Sequence, residues 1–239
     1  MQPPLIVVPI AIEWLLIASS VAPTLRGKFN ARPNLGIAVW FALFLSVLVA
    51  ALIGFAVSVW AIFVGWADSG ISDFPLAIQL LAGAGPWIIM ILAGVLISLI
   101  NRKLEPIIET NRKFAESPLL RGRSVKSFHG LEVESIDLPL WFSVFLKNPT
   151  PRILLSSQAL AGLSADQLEA VLWHEYAHYR LRHNSIKGLV GLLATITSFV
   201  RVSRVMKYEV DLLCEIAADD FAAKRVPRET LSEARALFL

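Results

Sequence analysis

The chain has 239 residues, of which 56% are hydrophobic and only 17% are charged. Soluble domains carry about a quarter charged residues, so this composition favours an integral membrane protein. The net charge of +3 is too small to indicate a nucleic-acid partner, and the single cysteine, Cys214, excludes a disulfide within the chain.

Long apolar runs occupy the first 100 residues: Leu5–Ala22, Leu35–Trp66 and Leu76–Ile100. A bilayer core of ~30 Å needs about 20 apolar residues in a helix, so each run predicts a transmembrane helix. The first run has no basic segment before it, and we expect a retained helix rather than a cleaved signal. Glu13 lies within that run. A carboxyl group in lipid is a functional-site candidate, but we expect a structural role, with the group protonated or paired within its helix.

The distribution of basic residues predicts the orientation in the membrane. Loop 23–34 carries Arg26, Lys28 and Arg32, whereas loop 67–75 carries aspartates and no basic residue. Cytoplasmic loops are enriched in Lys and Arg. This places loop 23–34 and the polar half of the chain in the cytoplasm of a bacterial-type plasma membrane, with the N-terminus outside.

The composition changes after residue 100, which predicts a membrane region over 1–100 and a second domain over 101–239. Residues 101–117 carry charges at helical spacing and predict a connector helix. Short β-type segments separated by turn residues follow: Ser124–Phe128, Leu131–Ile136, Phe142–Leu146 and Arg152–Ser156. The chain is therefore predicted to be a mainly α membrane protein whose membrane helices precede a small α+β domain.

A capping-box pattern, Ser164 with Gln167 three residues later, predicts the start of a helix that runs through "LEAVLWHEYAHYRLRH". Within it, His174-Glu175-Tyr176-Ala177-His178 fits H-E-x-x-H. Histidines four apart project from one helix face and can bind one zinc ion. Glu175 points about 100° away from His174 and can act as the general base without ligating the metal. The simpler alternative is two surface histidines beside an unrelated glutamate.

A third ligand is expected from the helical segment Lys207–Arg225, in which Glu215 and Asp219 share one face. Glu215 can complete the zinc site. Asp219 can then accept a hydrogen bond from the ring of a zinc-bound histidine and hold it in one tautomer. His183 is predicted to point to the opposite side of its helix, and His129 is a remote candidate.

Other carboxylates on the same segment compete with Glu215 for the third position: Glu209, Asp211 and Asp220. Glu209 fits less well, because the residue four positions on is Leu213, which cannot accept a hydrogen bond. Asp211 would give an aspartate ligand with a glutamate behind it. The alternative without metal is a helix face whose acids pair with arginines: Arg201, Arg204 and Arg225.

The apolar segment 188–200, "GLVGLLATITSFV", lies between the two parts of the predicted site. As a helix it is about 20 Å long and therefore short of a full span. A crossing would separate Glu215 from His174. We expect this segment to dip into the membrane and return, to lie along the interface, or to pack as a core helix. Basic residues flank it on both sides, which agrees with a non-crossing segment.

The stretches "LEAVLWHEYAHYRLRH" and "EIAAD" resemble the Glu-ligated zinc peptidases of membranes. The first resemblance is to the β-lactam-sensor, antirepressor-type membrane metallopeptidase family, favoured by "WFSVFLKNPTPRILLSSQAL" (Trp141–Leu160). The second is to the heat-shock and prenyl-protein-processing membrane protease family, which the Ala218-Asp219 pair fits at least as well. The resemblance is strongest over residues 141–225.

The predicted function is zinc-dependent hydrolysis of peptide bonds in a cytosolic or membrane-associated protein, with Glu175 transferring the proton. The strand Arg152–Ser156 could offer an edge to an extended substrate, or be an ordinary sheet strand. Residues that could stabilise the oxyanion are Tyr176, Tyr179, Tyr208 and Arg204. The alternatives are a catalytically degenerate zinc-binding signalling module that binds a partner and a membrane scaffold without metal.

Overall fold

The computed structural model describes residues 4–68, 98–102, 105–106, 122–148, 150–198 and 200–238. The helices are α1 (Pro4–Val21), α2 (Pro33–Asp68), α3 (Ser157–Gly162), α4 (Ala165–Arg180), α5 (His183–Ile196), α6 (Arg201–Ala222) and α7 (Arg228–Ala236). The strands are β1 (Arg123–Phe128), β2 (Leu131–Ile136), β3 (Ser143–Leu146) and β4 (Arg152–Ser156). The described chain is thus mostly helical with one small sheet.

Helices α1 and α2 form an apolar hairpin. The indole Nε1 of Trp14 donates to Ser46 Oγ at 3.1 Å between them. Residues Pro33–Val57 of α2 are long and apolar enough to cross a membrane. The apolar helical stretch Pro9–Leu25, which includes most of α1, is shorter. One candidate span is therefore present among the described residues, and Glu13 is exposed on α1. The third predicted run, 76–100, and the connector helix over 101–117 lie almost entirely outside those residues.

The sheet has the strand order β1-β2-β4-β3. Strand β2 pairs with β1 antiparallel and with β4 parallel, and β3 pairs with β4 antiparallel. All five residues of β4 are buried, as expected for a strand with neighbours on both sides. The suggestion that Arg152–Ser156 offers a free edge is therefore wrong, because the edge beside it is β3.

Two apolar clusters organise the fold. One lies between the sheet and α4 and includes Val133, Ile153 and Leu172, each fully buried. The other joins α2 to α6 and includes Trp40 and Met206, also fully buried. Burying each such side chain stabilises the fold by about 1.5–3 kcal/mol. The second cluster attaches the apolar hairpin directly to the helix that carries Glu215.

Two close contacts hold the same junction between the hairpin and α6. A Cβ at Gly36 of α2 would lie 2.8 Å from Leu213 Cδ1 and 2.5 Å from Phe29 Cβ, so only glycine permits this approach. Before α2, Gly27 adopts φ +68° and donates its backbone N–H to Glu209 Oε2 at 3.0 Å. The loop between α1 and α2 is thereby bound to the middle of α6.

The long helix predicted through His183 is in fact two helices. Helix α4 ends at Arg180, Arg182 adopts φ +57°, and α5 starts at His183. Helix α5 then packs on α6, with Val190 and Ala194 buried. Most of the apolar segment 188–200 therefore lies in α5, which packs alongside α6. Because α6 follows next in the chain and packs on both α4 and α5, the two parts of the predicted site lie together.

Candidate metal centre

The start and the packing face of α4 set the direction of its histidines. Ser164 Oγ accepts from Gln167 N at 3.2 Å, and Gln167 Oε1 accepts from Ser164 N at 3.1 Å, as the capping-box pattern predicts. Val171 and Leu172 are buried against the sheet. With that face fixed, His174 and His178 extend toward α6 and are themselves buried.

Three potential metal ligands converge between α4 and α6. The ring Nε2 atoms of His174 and His178 are 3.2 Å apart. Glu215 Oε2 lies 3.4 Å from His174 Nε2, and Glu215 Oε1 lies 3.7 Å from His178 Nε2. The ligand atoms all lie within 4.8 Å of one another. Ligands ~2.0–2.1 Å from a tetrahedral ion are about 3.4 Å apart, so this donor set fits zinc.

The far side of the His174 ring is held by Asp219. His174 Nδ1 lies 2.8 Å from Asp219 Oδ1. Burial lowers the pKa of His174, but the hydrogen bonds to Asp219 and Glu215 outweigh it and raise the pKa to about 9. When the ring loses its Nε2 proton, the Nδ1–H still donates to Asp219 and the Nε2 lone pair becomes available to a metal. Asp219 therefore lies beside the His174 ring and outside the group of convergent donor atoms.

His183 holds the second ring, which the sequence pattern did not predict. Because α4 ends before it, His183 turns back and places its Nδ1 3.0 Å from His178 Nδ1. Its ring is 1% exposed. Burial and the neighbouring His174 lower the pKa of His178 to about 3, and burial and Lys187 lower the pKa of His183 to about 4. Two neutral rings of this kind allow one Nδ1–H to donate to the other, and His183 orients His178 without entering the donor set.

Two cationic side chains form ion pairs with the carboxylates of the candidate metal centre. Lys187 Nζ lies 2.6 Å from Glu215 Oε1. Arg235, from α7, contacts Asp219 and lies 3.8 Å from Glu215 Oε2. Burial raises the pKa of Glu215, but hydrogen bonds with His174 and Lys187 outweigh it and hold that pKa well below its usual range. Glu215 is therefore a carboxylate at neutral pH.

The arginines predicted to neutralise this helix face lie elsewhere. Arg204 donates to the backbone oxygen of Ser198, and Arg225 stacks over the Trp173 ring at 4.5 Å. Arg201 is exposed at the start of α6. The sequence offered no signal for Lys187 or Arg235, because both reach the site only through the packing of α5 and α7.

The general-base candidate, Glu175, is 6% exposed and faces β3. Ser143 Oγ donates to its Oε1 at 2.7 Å, and the Phe145 backbone adds a further hydrogen bond. Burial raises the pKa of Glu175 despite the nearby His174. A carboxyl group with a raised pKa is suited to taking and returning a proton near neutral pH.

A cavity of about 260 Å³ opens beside this group. Its polar lining includes Glu175, His174, Glu215 and Arg235. Its aromatic walls are Trp141, Phe142 and Phe238. The cavity therefore brings the proton-accepting carboxyl group and two of the metal-ligand candidates to one accessible space.

The competing candidates for the third ligand are all engaged elsewhere. Glu209 binds the Gly27 backbone, Asp211 pairs with Lys207 at 2.7 Å, and Asp220 pairs with Arg228 at 3.4 Å. His129 lies at the β1–β2 turn, with its ring 4.5 Å from that of Trp173. Among the described residues, the group that could hold a metal ion is His174, His178 and Glu215.

The oxyanion candidates divide into two pairs. Tyr208 is 62% exposed beneath Arg26, and Arg204 is engaged by Ser198, so neither lies at the donor set. Tyr176 and Tyr179 line a second cavity together with His178. Of the four oxyanion candidates, Tyr176 and Tyr179 therefore lie near the candidate metal centre.

Two imidazoles and a carboxylate beside a buried glutamate form the arrangement of H-E-x-x-H metallopeptidases. Residues 142–212 match the sequence model of Peptidase family M48. The matched segment runs from the start of β3 into α6 and contains the H-E-x-x-H helix. The match supports the second resemblance, to the heat-shock and prenyl-protein-processing proteases, rather than the one placed first.

No curated protein matches the chain. Among solved structures, the crystal structure of S. mikatae Ste24p aligns with 11% sequence identity, covering 100% of this chain and 92% of that one, at a TM-score of 0.42. A likeness at this level transfers neither activity nor substrate. The M48 match also ends before Glu215, so the roles of Glu215 and Asp219 depend on the geometry described above.

Proposed function

We propose that this chain is an integral-membrane zinc endopeptidase that hydrolyses peptide bonds of a cytosolic or membrane-associated protein. One observation carries the proposal: three ligand atoms from α4 and α6 lie within 4.8 Å of one another, next to a buried glutamate, in a chain whose residues 142–212 match the M48 model. His174, His178 and Glu215 would hold the zinc ion. When bound, zinc supplies a Lewis acid that polarises a carbonyl oxygen and acidifies a water molecule.

The other residues of the site hold and move protons. Glu175 accepts a proton from the attacking water and returns it to the departing amine. The Ser143 hydroxyl, 2.7 Å from Glu175 Oε1, orients that carboxyl group toward the cavity. Asp219 and His183 fix the Nδ1 side of the two ligand rings, so that both Nε2 atoms face the shared centre.

Strand β3 is suited to hold an extended substrate next to these groups. The backbone of Phe142 bonds to Ser156 of β4, so the alternation of a strand turns the backbone groups of Ser143 and Phe145 outward. Asn184 Nδ2 bonds to Phe145 O at 3.0 Å, which agrees with that direction. Both outward backbone groups of Phe145 are already bonded, its N–H to Glu175 and its oxygen to Asn184. A peptide that adds to this edge would therefore pair with Ser143 and pass Glu175, which the Ser143 side chain contacts.

The membrane topology that we propose has spans over 5–22, 35–66 and 76–100, an outside N-terminus and a zinc domain at the cytoplasmic face. The bond from Gly27 N to Glu209 supports it, since it places the basic loop 23–34 on the same side as α6. A cysteine introduced by Lys28→Cys in a Cys214→Ala background should react with an impermeant maleimide only after cells are permeabilised. Labelling in intact cells would overturn this orientation.

Removal of the metal tests the proposed activity. We expect the full chain, purified in detergent without chelators, to contain about one zinc per molecule and to cleave quenched peptides from a mixed library. Dialysis against 1,10-phenanthroline should reduce cleavage to about 5% or less, and one equivalent of zinc should restore it, because the site requires deprotonated ligands bound to metal. Less than about one-tenth equivalent of zinc, or cleavage that the chelator does not change, contradicts the proposal.

A further inference from the structure

A second cavity, of about 580 Å³, also reaches the candidate metal centre, because His178 is part of its lining. The first cavity is lined by His174 and Glu175 instead. One side of the second cavity is formed by Phe145 and Lys147 at the end of β3, and the other by the last turn of α4 and the start of α5. A substrate extended along β3 past Glu175 would therefore place its next residues in this cavity.

The charge in this cavity is of one sign. Lys147, Arg180 and Arg182 line it, and its described lining contains no aspartate or glutamate. The ammonium group of Lys147 donates to the neutral hydroxyl of Ser185 at 3.0 Å. Within the part of the chain that the structure describes, none of the three cations forms an ion pair. Three uncompensated cations in one concave surface create a positive potential that attracts an anion.

Two acids of the candidate metal centre are already paired with other cations. Glu215 is paired with Lys187, and Asp219 is paired with Arg235. The backbone at Arg182 adopts φ +57°, a conformation that costs an arginine about 1 kcal/mol and a glycine little. The arginine side chain is thus present at a position where the backbone alone would favour glycine.

We propose that the cavity defined by Lys147, Arg180 and Arg182 binds a carboxylate of the substrate, so that the enzyme prefers peptides with an acidic group near the cleaved bond. This inference rests on the proposed peptidase function. The carboxylate can belong to an Asp or Glu side chain or to a free C-terminus. A peptide is favoured over an anionic lipid headgroup because the cavity shares His178 with the ligand set and Phe145 with the edge strand.

The test compares peptides that differ by one charge. Quenched peptides carrying Glu, Gln or Lys at each position around the cleaved bond are assayed with the full chain in detergent. At one position on one side of the bond, the wild type should show a kcat/KM about tenfold or more higher for Glu than for Gln, as charge-assisted hydrogen bonds provide. Paired C-terminal acids and amides distinguish a side-chain carboxylate from a terminal one.

The variant Lys147→Gln/Arg180→Gln/Arg182→Asn should reduce that preference to about twofold or less, because the compensating charges are gone. Asparagine is chosen at position 182 because it tolerates the left-handed backbone. Cleavage of the Gln peptide should stay within about threefold of wild type, since none of the three residues contacts the reacting atoms. The control variant Arg123→Gln/Lys126→Gln/Lys224→Gln removes three exposed cations outside the cavity and should keep the preference.

Zinc content equal to that of the wild type shows that the triple variant is folded. If it is not, the single variant Lys147→Gln replaces it, with an expected fall in preference of about two- to fivefold. Zinc-dependent cleavage without a Glu preference, or a preference that these variants leave unchanged, overturns the inference and leaves the proposed function intact. Weaker binding of phosphatidylglycerol added to the detergent-solubilised triple variant, with unchanged peptide selectivity, assigns the cations to lipid and also overturns it. No cleavage of any peptide contradicts the proposed function itself.

Discussion

Glu175→Gln should remove peptide hydrolysis while leaving the metal in place. General acid–base catalysis contributes about 10²–10⁴-fold, so kcat should fall by at least about 100-fold. Gln is close in size to Glu and can still accept from Ser143 Oγ, which now lies 2.7 Å from the carboxyl oxygen. Zinc content, measured by plasma emission spectrometry, should therefore remain near one equivalent per chain.

The matched control is Glu169→Gln, the same substitution on the same helix. Glu169 is exposed and accepts from Trp173 Nε1 at 3.2 Å, a bond that glutamine preserves. Its kcat should stay within about twofold of wild type. A Glu175→Gln protein with full turnover would exclude Glu175 as the proton acceptor. A zinc-loaded wild type without turnover, whose cellular phenotype is unchanged by Glu175→Gln, would favour a degenerate zinc-binding module.

Glu215→Ala should weaken zinc binding by at least about 100-fold, because it removes one of the three ligands rather than a group behind them. The substitution also leaves Lys187, now 2.6 Å from the carboxylate, without its partner. Titration with a fluorescent zinc chelator as competitor measures the affinity. Turnover without added zinc should be lost in parallel.

Asp220→Asn provides the control for that substitution. Asp220 lies on the same helix and pairs with Arg228 at 3.4 Å at the surface, where an ion pair is worth about 1 kcal/mol or less. Its zinc affinity should equal that of the wild type. If Glu215→Ala binds zinc as tightly as the wild type, Glu215 is not a ligand. The same zinc titration of Asp219→Asn would then show whether Asp219 is the carboxylate ligand instead.

Local signals predicted most of the small domain. Four strand segments lie within one residue of their predicted bounds, because short β-branched and aromatic runs between turn residues depend little on distant contacts. The capping box predicted the start of α4 for the same reason. Helical spacing alone brought His174 beside His178 and Glu215 near Asp219. Whether those pairs would meet depended on the path between them. The sequence excluded a membrane crossing by segment 188–200 only if the zinc site forms, and it left three paths open.

Features that depend on tertiary packing were missed. The position of His183 follows from the break at Arg182, which no glycine or proline announces. Lys187 and Arg235 reach Glu215 only through the folding of α5 and α7 against α6. The order of strands in the sheet, which places β3 at one edge and β1 at the other, also depends on long-range pairing.

The donor set is best tested by a metal-loaded structure of the full chain, with anomalous scattering recorded at the zinc edge. We expect one zinc peak ~2.0–2.2 Å from His174 Nε2, His178 Nε2 and a Glu215 oxygen. Asp219 should remain on the Nδ1 side of His174, where the present separation is 2.8 Å. A zinc ion bound elsewhere, or a Glu215 carboxylate more than ~10 Å from both rings, would exclude this three-residue zinc site.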